Sequence, residues 1–497
     1  MTAIADYNTK TGQWMLVIHR VTATSAEVWV GTLFPTLKMP LRAQVELLLP
    51  DGSVRVHSIV KEDWQRPFRK VNQRFYVLCR FDNLEPATRY RVVFSRRIEA
   101  VPCVIEEAWQ ALRSGCFDTL PTCIPAKGCK PFTVGLGSCF YNHRDGGQAA
   151  AAYRALYERG PDEVRPDITV LAGDQVYLDI GFDSLSLLNT EIRQRIADDY
   201  ALHWQALGSI FGCGGTWMLP DDHEYWNDYP FYDGLIPALL ALKLARVRST
   251  WTASASDGVK NIQRSPLVDT FSIGNDLSFC FADLRSHRSK HQFITQEGFA
   301  QLVAWARSLR SPGVLVIPQL LIDEEDKCER NLLSFSRQYR ELLQALAHTG
   351  NDIVVLSGDV HFGRIASVTL GNNGGRLIEV VSSPMSNLTG LNGIATAEAK
   401  SSPDFFPDPR VIRIPEWVPA KVRYDKSFQV KSKPGFLMSA YPKARTREHF
   451  MTVSFSRLAT GEIELSVNAW RIRERCKPDN LPVSDFEQPY KVVLRKI

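Results

Sequence analysis

The stretch Thr169–Asp179, TVLAGDQVYLD, decides how this chain is read. An apolar, β-branched run stops on Gly-Asp, and a tyrosine stands three residues after the aspartate. A buried strand of an open α/β sheet delivers its carboxyl end to a crevice, so Asp174 and Tyr177 are both placed to face a ligand. The pattern is not isolated. From about residue 131 the apolar runs FTVGLGSC (132–139), TWMLPDD (216–222), LSFCFADLRS (277–286), VLVIP (314–318), IVVLSGD (353–359) and IEVVSSP (378–384) read as further strands. Amphipathic helices lie between them: QAAAAYRALYERG is stopped by Gly160-Pro161, and SFSRQYRELLQALAHTG takes Ser334 or Ser336 as N-cap and Gly350 as stop. This alternation predicts an α/β layered domain, completed by a hairpin at 451–470 around Thr460-Gly461.

Up to about residue 115 the period is two and turn residues come often. Phe75, Val77, Cys79 and Phe81 alternate with Arg74, Tyr76, Leu78 and Arg80, while 25–31, 44–49 and 53–59 read as further short strands, with Asp51-Gly52 as a turn. Strands at such spacing with no helical period between them predict a β-sandwich. LEPATRY (84–90) resembles the tyrosine-corner segment of fibronectin type III-like domains. The expected organisation is an N-terminal sandwich over 1–115, a linker over 116–130 and the α/β domain over 131–497. Within the last, 386–447 is rich in Ser, Pro, Asn and Lys and reads as irregular, a lid or a surface excursion.

Composition narrows the function. The chain has 497 residues, too many for one core, and a net charge of +5 with no block of like charge that would mark a nucleic-acid arm. No basic and apolar leader opens it and no run reaches membrane-spanning length, which predicts a cytoplasmic protein working away from membranes. Among the ten cysteines, Cys103, Cys116, Cys123 and Cys129 share one region, but without a C-x-x-C pair they read as separate thiols rather than a zinc site.

The chemistry collects at strand ends. Cys139 ends the first strand of the α/β region, Asp174 and Tyr177 follow the second, Asp222, His223 and Asn227 follow the third, and Asp359 and His361 end a late one. Carboxylates, a phenol, an imidazole and a thiol meeting in one crevice have the composition of a dinuclear metal site, with Asp174 as the bridging carboxylate. A phenolate or thiolate ligand needs a strong Lewis acid, which points to a trivalent or transition ion such as iron; the second, oxygen-rich position suits calcium, manganese, magnesium or zinc. His223, flanked by Asp222 and Glu224, is the candidate general acid. Arg144, Arg285 and Arg288 are candidates to clamp a substrate phosphate.

The ordered motifs GSC (137–139), GDQVY (173–177), DDHEYWN (221–227), DLRSHR (283–288) and SGDVHFGR (357–364) resemble those of the PhoD-like alkaline phosphatases of the metallophosphoesterase superfamily, over nearly the whole chain. The resemblance implies a four-layered α/β/β/α metallophosphoesterase core preceded by a fibronectin- or immunoglobulin-like sandwich. It also implies a bimetal centre, often Fe(3+) with calcium. Carried over by position, Cys139 and Tyr177 bind the iron-like ion, Asp174 bridges, and Asp222, Asp359 and His361 complete the shells. Asn227 carries over less directly, because Asp228 follows it where members often have a second Asn. The expected function is hydrolysis of a small phosphate ester, mono- or diester, by attack of hydroxide. Two alternatives stay open: a binding protein with a relic metal domain, and a nuclease on the same centre, for which no basic run with interleaved aromatics speaks.

Overall fold

The apolar runs of the α/β region form seven strands, Phe132–Gly137, Ile168–Ala172, Gly215–Leu219, Leu277–Ala282, Gly313–Val316, Ile353–Ser357 and Gly375–Val381. They belong to a computed structural model that describes residues 12–97, 109–142, 145–233, 237–325, 330–386, 403–415, 417–429, 447–476 and 479–496. The first three strands pair in parallel inside a ten-stranded sheet, and the other four pair in parallel inside a seven-stranded one. Near-continuous apolar character follows from that placement, because a parallel strand covered on both faces has no solvated side to alternate towards.

Side-chain parity shows how the layers stack. Ile168, Val170 and Ala172 face the same core as Phe279, Phe281, Val314, Val316, Val354 and Leu356, so the two large sheets lie face to face. Leu171 and Met218 point the other way, into a core shared with the helices Gln148–Arg159, Asn189–Leu207 and Ala245–Gly258. Cys280, Leu315 and Val355 pack under the helices Gln296–Ser308 and Ser336–Ala347. The result is a mixed α/β architecture with helices outside two facing sheets. Phe279 ties the middle of it, its ring 5.9 Å from that of Phe132 and 6.0 Å from that of Phe455 across the gap between sheets. Its truncation to alanine would cost about 3–5 kcal/mol.

Seven strands form the two β-layers of the N-terminal region. Met15–Val21, Ala26–Thr32 and Phe75–Phe81 make one; Val54–Val60, Arg42–Leu48, Arg89–Arg97 and Trp109–Asp118 make the other. The Tyr90 hydroxyl accepts a hydrogen bond from the Glu85 backbone N–H at 2.9 Å, the tyrosine corner that LEPATRY suggests. The first layer continues beyond its own region. Met15–Val21 lies parallel to Gly215–Leu219, with His19 opposite Thr216, and so becomes part of the ten-stranded sheet.

Two local readings change. Neither Ser334 nor Ser336 caps its helix by a side chain; a 3-10 turn, Leu332–Phe335, precedes the helix and is capped instead by Asn331, whose side chain accepts from the Leu333 N–H. Asparagine accepts from a backbone N–H as a serine cap would, but it stands at the start of the preceding turn. The 386–447 stretch also holds regular structure: Arg423–Gln429 pairs antiparallel with Phe362–Leu370 at the edge of the seven-stranded sheet. An edge strand with one covered face carries polar residues at alternate positions, as RYDKSFQ does, and so resembles a loop in composition. Residues 387–402 and 430–446 lie outside the described residues, as does Cys103; Cys116, Cys123 and Cys129 are free thiols. Among the described residues no helix is long and apolar enough to cross a membrane.

Three buried histidines favour the fold less as the pH falls, and burial pushes one of them, His449, down to about 4. Burial, with Arg264 adding to it, pushes His19 down to about 3, and burial pushes His203 down to about 4. All three folded values lie below the unfolded value near 6.5, so their contribution is complete above that pH and is lost as the pH falls towards 4. Between pH 7.5 and pH 5 each of these histidines is expected to take about 2 kcal/mol from the stability seen in urea unfolding, against which Asp167, raised to about 6, and Asp199, raised to about 7, act in the opposite sense. His203→Gln should remove its share of that fall; an unchanged pH dependence would contradict this account.

Candidate metal centre

Four strand ends bring their residues together, three of them in strained backbone. Cys139, Asp174, Asp359 and His361 all have positive φ, at 53°, 57°, 71° and 53°. Each such residue costs on the order of 1–3 kcal/mol, so a cluster of them marks a place where surrounding structure imposes the geometry. Glycine permits the approach. A Cβ on Gly173 would lie 2.8 Å from Asp221 Cβ, and one on Gly358 would lie 2.4 Å from Ser138 Cβ. Backbone bonds then stitch the ends: Cys139 N–H to Gly173 O at 3.1 Å and Phe140 N–H to Asp174 O at 2.8 Å.

One side of the cluster holds Cys139, Asp174, Tyr177 and His361. Cys139 Sγ is 3.4 Å from Asp174 Oδ2, and the Tyr177 hydroxyl is 3.4 Å from His361 Nε2. On the other side, carboxylate oxygens of Asp174, Asp221, Asp222 and Asp359 all lie within 4.8 Å of one another, as do donor atoms of Asp174, Asp222 and His223. Asp174 belongs to both sides. Without cations these groups suppress one another's ionisation. Burial, then the Asp174 and Asp359 carboxylates, raises the Cys139 thiol well above its ordinary value, and burial, then Cys139 and Asp174, does the same to Tyr177. Burial likewise raises Asp174 and Asp359, and the neighbouring Asp221 and Asp222 add to it. Asp221 Oδ2 is buried with no hydrogen-bond partner among the described residues. Such a donor set fits multivalent cations, which would hold the thiolate, phenolate and carboxylates ionised together.

The supports around the cluster are specific. The buried Glu224 carboxylate accepts the backbone N–H groups of Asp174 at 3.0 Å, Gln175 at 2.7 Å and Asp221 at 2.9 Å, and the Gln263 side-chain amide at 3.0 Å. It fixes two strand ends relative to each other. His223 Nδ1 lies 2.7 Å from Asp179 Oδ1, while Asp179 Oδ2 accepts the Asn227 N–H at 2.8 Å. Burial lowers the His223 pKa, but Asp179, Asp222 and Asp174 outweigh it and leave the imidazole well above its ordinary value. Gln319 donates to Asp359 Oδ2 at 3.3 Å.

The sequence-predicted residues fare differently. Cys139, Asp174, Tyr177, Asp222, His223, Asp359 and His361 converge. Asn227 is half-buried, and its backbone amide orients Asp179. Arg285 and Arg288, read as a clamp on substrate phosphate, are buried and bonded to the protein, but Arg285 Nη2 has no hydrogen-bond partner among the described residues and lies 4.0 Å from Asp222 Oδ1. Arg285 is buried against Asp221 and the Tyr229 carbonyl, and Arg288 donates to the Leu284 and Arg330 carbonyls and to Gln319. Burial, then the neighbouring Arg285, lowers Arg288 to about 9. Arg144 lies outside the described residues. The sequence reading passed over Asp179, Asp221 and Glu224. Asp179 closes the opening stretch and Asp221 and Glu224 flank Asp222-His223, so the signal was five acids, Asp174 and Asp222 among them, within two short loops that follow buried strands.

No protein-family model matches the chain, and no curated protein matches it. Among solved structures it is similar to one described as the structure of PhoD, with a TM-score of 0.61 and 14% identity over 100% of this chain and 93% of that one. A putative β-galactosidase from Bacteroides fragilis (TM-score 0.23, 10% identity, 99% of this chain and 74% of that one) is too distant in structure to carry an argument. The likeness to PhoD is one of fold, and the buried acidic cluster lies where that fold brings strand ends together.

Glu224→Gln should show how much depends on the buttress. The amide would face two backbone N–H donors with an NH₂ group, so about 2–5 kcal/mol of stability is expected to be lost. Thermal unfolding of the variant measures it; a midpoint equal to that of the wild type would remove Glu224 from the account.

Proposed function

We propose that this chain is a metal-dependent phosphoric ester hydrolase of the PhoD-like type, with a metallophosphoesterase core and a dinuclear centre. The observation that carries the reading is the convergence of Cys139, Asp174, Tyr177, Asp222, Asp359 and His361 from four separate strand ends, with Asp174 common to both sides of the cluster. The similarity in fold to PhoD and the ordered motifs support it.

In this reading Cys139, Tyr177 and His361, with Asp174, hold the Fe(3+)-like ion, and Asp222, Asp359 and the newly recognised Asp221 surround a divalent ion. When bound, such ions polarise phosphoryl oxygens and lower the pKa of water. The chain supplies the rest. Asp179 holds one proton of the His223 imidazolium on Nδ1, and the second, on Nε2, is the one handed to the departing alkoxide, leaving the neutral ring. Glu224 and Arg285 hold Asp174 and Asp221 in place while charge moves.

Two variants test these roles separately. Purified wild-type protein is expected to contain two metal ions per chain and to hydrolyse p-nitrophenyl phosphate or its bis ester, and Asp174→Asn to lose both properties. His223→Asn is expected to keep the metals and lose about 10²–10⁴-fold in kcat. Full activity in Asp174→Asn would sink the reading.

A further inference from the structure

Arg288 is bonded to the protein through all three of its nitrogens and Arg285 is fully buried, so neither offers an exposed cation to an incoming phosphate. Arg330 has the position. Its backbone N–H donates to Asp228 Oδ1 at 3.1 Å and its guanidinium to Asp228 Oδ2, while the Asp228 N–H donates to Asp222 Oδ2 at 2.7 Å. Two hydrogen-bonded steps therefore separate this arginine from the carboxylate cluster. Its carbonyl accepts from Arg288 at 3.0 Å, and its guanidinium lies 3.9 Å from the centre of the Phe231 ring, so main chain and head group are both located.

Unlike the other two, Arg330 reaches the surface. Its side chain is 35% exposed, against 0% for Arg285. Both Nη atoms also hold Asp233, at 3.2 Å and 2.7 Å, but that carboxylate is 67% exposed and has Lys290 nearby. A pair so wet holds weakly and gives way to a better-placed anion, whereas the part-buried Asp228 end keeps the head group aimed. A planar fork that already holds one exposed carboxylate by both Nη atoms suits bidentate recognition of two phosphoryl oxygens.

We infer that Arg330 is the residue of this chain that grips the substrate's phosphoryl group, exchanging Asp233 for two non-bridging oxygens. The inference rests on the phosphoric-ester reading, but its test does not need turnover. Equilibrium dialysis of inorganic phosphate against the metal-containing protein as purified should show Arg330→Ala weakening phosphate binding at least ~10-fold, with Arg330→Lys in between, because an ammonium keeps the charge without the fork. Asp233→Asn, which frees the competing end, should tighten phosphate binding a few-fold; a merely structural arginine would not produce that change. With p-nitrophenyl phosphate, Arg330→Ala should raise KM far more than it lowers kcat, at unchanged metal content. Phosphate binding unaltered by Arg330→Ala, or lost together with the metals, would overturn the inference. Wild-type protein that binds phosphate through Arg330 yet cleaves no ester would count against the hydrolase reading and in favour of the binding role.

Discussion

Like charges gathered out of water govern this molecule. At the ~4.8 Å that bounds the carboxylate oxygens, two ionised carboxylates in a surrounding of effective dielectric ~20 repel by roughly 3–4 kcal/mol. Several such pairs meet around Asp174, with a thiol and a phenol beside them. No fold gathers them without an equal and opposite term. Arg285 supplies part of it against Asp221 and Asp222, and His223 supplies part against Asp174 and Asp222. The remainder is the charge that multivalent ions would bring.

The architecture can be understood as the device that resists this repulsion. Strands buried on both faces anchor the loops from behind, and the helices close the outer faces. Backbone strain at Cys139, Asp174, Asp359 and His361 is held in place by that frame, and the Glu224 carboxylate binds two of the loops to each other through three main-chain N–H groups. The polar supports and the apolar layers thus act on the same few strand ends.

Much of this was legible before any coordinates. The seven apolar runs were readable because parallel strands covered on both faces have a plain hydrophobic signature, and most cluster residues because Asp, His and Cys at the ends of such runs are costly to bury without a reason. The pairing of Met15–Val21 with Gly215–Leu219 was not, since a sandwich strand carries the same alternation whether its edge is free or joined. Nor could sequence separate a buried arginine from one that reaches solvent: Arg285, Arg288 and Arg330 differ only in what tertiary structure places against them. Glu224 was hidden for a similar reason, because a residue that works through main-chain donors leaves no mark on its partners' side chains.

The central claim is that Cys139, Tyr177 and the aspartates converge to hold two cations with Asp174 between them. Anomalous diffraction from crystals of the protein as purified, collected on both sides of the iron edge, tests it most directly. The account predicts two peaks flanking Asp174, the iron one beside Cys139 Sγ and the Tyr177 hydroxyl and the other among Asp221, Asp222 and Asp359. A map with no anomalous density within bonding distance of Asp174, from protein supplied with iron and divalent cations, would contradict it.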